Sequence, residues 1–163
     1  MDSTTLIIGF VMILLIASPI VLTGISRKSR EKKLANDFNL LSKSNNSSIS
    51  QSDFWSGTVI GINQDDKLVF FIRQLRDLNE SIAINLNEFQ KCNFIKTTNK
   101  GDVVEKLELV FTPITKNKPE TKLEIYNAEI NPLLAGEIKI AEKWVKLINE
   151  TISEHKKLKF PAA

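Results

Sequence analysis

The chain of 163 residues has one cysteine, Cys92, and one histidine, His155. A single thiol excludes an internal disulfide, the staple on which small exported domains often rely. A lone histidine beside Lys156 and Lys157 leaves a Ser-His-Asp triad or a histidine-centred metal site without partners nearby in the sequence. Glycine is scarce at six residues, and neither GxGxxG nor GxxxxGK occurs, so the common phosphate-cradling loops are missing. Asp65 and Asp66 offer too few oxygens at too short a spacing for a calcium loop and read as turn residues. Cys92 sits among alternating apolar residues and reads as a small buried side chain. These absences predict a non-enzymatic chain with no catalytic residue, no cofactor and no metal.

Charge is absent from residues 6–25, LIIGFVMILLIASPIVLTGI, and abundant immediately after them in SRKSREKK. Twenty helical residues at about 1.5 Å each span the hydrocarbon core of a bilayer, and a helix there satisfies its own backbone polar groups. A removable signal peptide fits poorly. Residues 1–5 contain no Lys or Arg, and Ala17-Ser18-Pro19 puts proline where cleavage would occur. The five bases Arg27, Lys28, Arg30, Lys32 and Lys33 follow the run, so the positive-inside rule predicts an N-terminus outside and the remainder in the cytoplasm. Asn-x-Ser/Thr triplets at Asn45, Asn46, Asn79 and Asn149 would be idle there. The expected organisation is a short outer segment (1–5), a transmembrane helix (6–25), a basic juxtamembrane helix and linker (26–52), a domain (53–157) and a tail (158–163).

The net charge of +3 resides entirely in residues 1–33, because residues 34–163 hold 17 bases and 17 acids. Arg27, Lys28, Arg30, Lys32 and Lys33 therefore form the candidate site for anionic lipid headgroups, each worth about 1 kcal/mol near such a surface. A neutral domain has no field with which to attract nucleic acid.

Beyond the bases, Leu34, Phe38 and Leu41 mark one apolar side of a helical extension, suited to lying in the membrane interface or, more commonly for such a stripe, to packing on the domain. Ser44-Asn45-Asn46-Ser47-Ser48 is a polar linker. Strand patterns follow at 54–62, 68–75, 82–86, 91–98, 103–113 and 121–130, rich in β-branched and aromatic residues or alternating with period two. Six strands are evident and a seventh is open. Asn131-Pro132 then reads as an N-cap and first turn. Ile138, Ala141, Trp144, Val145, Ile148 and Ile152 form the apolar side of a C-terminal helix, with Lys139, Glu142, Lys143, Lys146 and Glu150 on the wet side.

Consecutive strands followed by one amphipathic helix, with no interleaved helix, disfavour a parallel α/β sheet. With SDFW (52–55), VIGIN (59–63), QKCNFIK (90–96), LEIYNAEI (123–130) and GEIKIAEKW (136–144), the chain resembles a group of bacterial single-pass membrane proteins with a cytosolic pleckstrin-homology-like (PH-like) domain. The resemblance spans nearly the whole length. It implies an α+β fold of six to seven antiparallel strands in a bent sheet or partly open barrel, capped by one C-terminal helix, and it implies no chemistry. In that setting the loop Asn63-Gln64-Asp65-Asp66-Lys67, net −1, would repel a phosphoinositide headgroup.

The expected role is a membrane-tethered interaction module at the inner membrane, binding a protein or peptide partner in the cytoplasm through a sheet edge or groove. The alternative is an accessory subunit that associates through its transmembrane helix, where Gly9, Ser18 and Gly24 would permit close packing.

Overall fold

The computed structural model describes residues 28–75 and 78–159, with side chains through Glu154. The chain is helical over 28–44 (α1). The strands β1 (Gln51–Trp55), β2 (Thr58–Asn63), β3 (Leu68–Leu75) and β4 (Leu78–Asn85) follow, then a 3-10 turn Leu86–Glu88. β5 (Phe89–Thr98), β6 (Val104–Pro113), β7 (Thr121–Asn127) and the helix α2 (Glu137–Lys159) complete it. All pairings are antiparallel, in a four-stranded sheet β1-β2-β3-β4 and a three-stranded sheet β5-β6-β7.

The main core lies between the inner faces of the two sheets and α2. Ile60, Ile62, Val69 and Phe71 meet Leu107, Leu109, Phe111, Leu123 and the α2 residues Ala141, Trp144 and Ile148, all of them fully buried. The periodicity read in 138–152 is therefore the packed face of α2, and Lys139, Glu142, Lys143, Lys146 and Glu150 are exposed. Trp144 is the largest buried side chain, and its indole N–H donates to Asp53 Oδ2 at 2.8 Å.

A second core lies on the outer face of the four-stranded sheet. There Leu34 and Phe38 of α1 pack with Val59, Phe70 and Ile72. This explains why β2 and β3 are continuous apolar runs: both faces are covered, as in strands buried on two sides. Gly61 makes the docking possible. A Cβ there would stand 2.4 Å from Phe38 Cζ, so only a bare backbone lets the ring lie against the strand. Asp37 Oδ2 also accepts from Gln74 Nε2 at 2.6 Å. The linker is tied down as well, since Ser50 N donates to Ile62 O at 2.8 Å.

The expected fold class is corrected on two points, the number of sheets and the number of helices. The strands form two separate sheets, because the 3-10 turn at Leu86–Glu88 intervenes between β4 and β5 and no ladder joins them. The fold uses two helices, since α1 is part of its packing. No helix of the described residues is long and apolar enough to cross a membrane, and the run 6–25 lies outside those residues.

Local boundaries shift too. The expected strand 54–62 is a hairpin whose two-residue turn, Ser56 (φ 36°) and Gly57 (φ 73°), has the positive dihedrals of a type I′ connection. β1 starts at Gln51, ahead of the expected domain start at 53. Asn131-Pro132 does not cap α2. Asn131 Oδ1 accepts from Leu133 N at 3.3 Å in a local turn, and the helix begins at Glu137 after Gly136 (φ 112°).

Candidate functional site

Of the expected basic cluster, Arg27 lies outside the described residues. Lys28, Arg30, Lys32 and Lys33 are brought together, exposed, on the first turns of α1. At about 100° per residue, Lys28, Lys32 and Lys33 all point away from the docked stripe of Leu34 and Phe38, roughly 100° to 140° around the helix from it. These bases are thus carried by a helix fixed to the sheet.

The acidic loop 63–67 joins β2 to β3, the second hairpin of the sheet. Asp66 works inside the fold. Its carboxylate accepts from Ser47 Oγ at 2.6 Å and from Asn63 Nδ2 at 2.7 Å, clamping the linker to the loop. The Cys92 thiol is 1 % exposed, and burial pushes its pKa up to about 12, so it is protonated and unsuited to nucleophilic work. Among the described residues no group of three His, Cys, Asp or Glu could hold a metal ion.

A charged seam that the sequence reading did not anticipate joins the two sheets. Arg73 of β3, 7 % exposed, pairs with Glu124 of β7 and reaches Glu80 of β4 at 3.2 Å. Lys106 of β6 bridges Glu124 at 2.9 Å and Glu108 at 2.8 Å. Burial alone would raise the Glu124 pKa, but the hydrogen bonds from Lys106 and Arg73 outweigh it and hold the carboxyl below its usual range. Hydrogen bonds to Glu108 and Glu124 likewise raise Lys106. Arg73 Nη1 and Trp55 Nε1 also donate to the carbonyls of Glu124 and Ile125, at 3.3 and 3.2 Å, so side chains from the first sheet occupy the edge of β7. The cleft beside Arg73 measures only about 20 Å³, room for a water-sized group. A shallow trough of about 570 Å³ lined by Thr97, Val103, Lys106 and Glu129 is open to solvent. The seam is a sheet-to-sheet fastening in which each charge has an opposite partner, while the buried Nε of Arg73 meets no acceptor among the described residues.

The edge of β5 differs. This strand pairs only with β6, and α2 packs alongside it. At one position α2 supplies a substitute strand: Cys92 N donates to Asn149 Oδ1 at 2.9 Å, and Asn149 Nδ2 donates to Cys92 O at 2.7 Å. The peptide groups of Cys92 therefore point away from β6. In an antiparallel pair that direction recurs every second residue. The register is regular from Lys91 to Thr97, so the N–H and C=O groups of Phe94 and Lys96 face the same open side. Among the described residues nothing occupies them, and residues 95–98 are exposed. The strand thus offers a short stretch of unpaired backbone beside a helix, with one neighbouring position already showing the spacing an amide partner needs.

Two signals in the sequence bear on this geometry. Arg73 is a charge inside the apolar run LVFFIRQL, and Asn149 stands next to Ile148 on a helix whose apolar face is otherwise regular. Neither reveals its partner, which comes from 51 or 57 residues away. Comparison with protein-family models, with curated proteins and with solved structures finds no match for this chain.

Proposed function

We propose that the chain is a non-enzymatic binding module, held at the cytoplasmic face of a bacterial membrane by the apolar run 6–25. It receives an extended segment of a protein partner along the open edge of β5. The observation that carries this reading is the unpaired backbone at Phe94 and Lys96 beside α2, next to the Asn149 clamp on Cys92. Strand addition draws its affinity from main-chain hydrogen bonds and its selectivity from alternate side chains, and it needs no catalytic group, pocket or net charge. The neutral balance of residues 34–163 agrees with an uncharged peptide backbone as the ligand. The run 6–25 with its basic flank supports the location, and Lys28, Arg30, Lys32 and Lys33 would meet anionic headgroups.

The test is photo-crosslinking in cells from a reactive side chain placed at Ile95, which is 42 % exposed. A discrete adduct is expected there, and Lys96→Pro should abolish it. That proline removes one outward N–H while sparing the β6 ladder, the situation in which edge strands tolerate proline. An adduct that persists in the proline variant, or adducts that form only from positions within 6–25, would remove the edge from the account.

A further inference from the structure

We infer that the loop Asn131-Pro132-Leu133-Leu134-Ala135-Gly136 is a second membrane contact, with Leu133 and Leu134 entering the interface of the bilayer that anchors the chain. The inference rests on the membrane part of the proposed function and is independent of the β5 edge.

Leu133 is 74 % exposed and Leu134 36 %, and the whole stretch 132–136 is exposed and carries no charge. The loop is braced at both ends. Ile130 N and Asn131 N donate to Asn127 O at 3.2 and 3.0 Å, and Ala135 N donates to Glu137 Oε2 at 2.6 Å. Its backbone is thereby held in a shape that presents two leucines to solvent, which costs hydrophobic free energy unless something covers them.

Position identifies the occupant. Asn131 at the start of the loop and Glu137 just after it line one cleft with Ser56 of the first hairpin turn and Leu75 at the end of β3. This is the end of the sheet towards which α1 points its beginning. Asp37 bonds Gln74 beside Leu75, Phe38 lies over Gly61 at mid-strand, and Ser47 reaches Asp66 at the opposite end. Residues 28–33 therefore project past the end from which the leucine loop springs, carrying Lys28, Arg30, Lys32 and Lys33, and the apolar run of the sequence lies immediately before them. Exposed leucines on an uncharged loop, at the same end as a cationic helix start that follows a lipid-compatible run in the sequence, match the chemistry of an anionic bilayer surface: cations for the headgroups and aliphatic side chains for the acyl boundary.

The test uses the full chain in vesicles of phosphatidylcholine and phosphatidylglycerol at about three to one, a composition with an anionic surface. Leu133→Cys is labelled with an environment-sensitive fluorophore, and the buried Cys92 leaves that site selective. Leu40→Cys is the control, at a side chain 63 % exposed about 18 Å further along α1 from residue 28. The expected result is blue-shifted emission at position 133, quenched severalfold more by lipids with a quencher in the acyl chain than emission at position 40. Equal quenching at the two sites in protein that floats with the vesicles would overturn this inference and leave the membrane location standing. Protein that does not float with the vesicles would overturn both.

Discussion

Gly61 decides whether α1 belongs to the fold. A Cβ at this position meets a ring atom of Phe38, and the ring is hemmed in by Phe54 and Phe70 at centroid distances of 5.9 and 6.5 Å. Gly61→Val should expel the ring and with it the helix. The expected outcome is a loss of about 3 kcal/mol in urea unfolding, the size of a large core defect, with new protease cleavage between residues 44 and 50. Unchanged stability would mean that α1 is dispensable to packing. Glu124 supplies a pH signature. Its folded-state pKa lies below the ordinary value, so its contribution is present above the unfolded value of about 4.3 and is lost as pH falls through the folded one. Glu124→Gln should be less stable than the native chain at neutral pH, and the difference should shrink steadily below about pH 4. A gap that does not change with pH would contradict the seam as described.

Elements were legible where one residue pattern determined them. The periodicity at 138–152 is the buried face of α2, and the stripe Leu34, Phe38, Leu41 is the docking face of α1. The continuous runs in β2 and β3 are covered on both faces, and the stripe of α1 provides the outer cover. Ser56-Gly57 could have been read as a turn. It was hidden because FW and TVI on either side are both strand-forming, so one long strand and a tight hairpin look alike until the ladder is seen. The helix start was misplaced because Asn131-Pro132 carries a capping signal that a local turn uses instead. The partners in the seam and in the Asn149 clamp were not legible, since each joins residues whose adjacency only the folded topology creates. At this scale Trp144→Ala should cost about 3–5 kcal/mol, because it empties the centre of the core and strips Asp53 of its indole donor. Lys143→Ala should cost under about 1 kcal/mol, since its pair with Asp53 at 2.6 Å is solvent-exposed. Thermal melts of the two variants separate these values, and equal losses would contradict the assignment of the helix face.

At the scale of the molecule, α1 turns what the sequence presents as a tether into a strut. The bases at its start, the sheet it covers and the linker beyond it are held together by Gly61, Asp37 and Asp66. A domain carried this way would present fixed faces to its surroundings. The most direct measurement of the central claim is the affinity of the partner recovered by crosslinking at Ile95 for the native chain and for Lys96→Pro, with both proteins checked for the same melting temperature. Loss of a main-chain hydrogen bond together with the clash of a proline ring on an incoming strand predicts a weakening of about tenfold or more, some 1.4 kcal/mol. Equal affinity for the two proteins would contradict strand addition at β5.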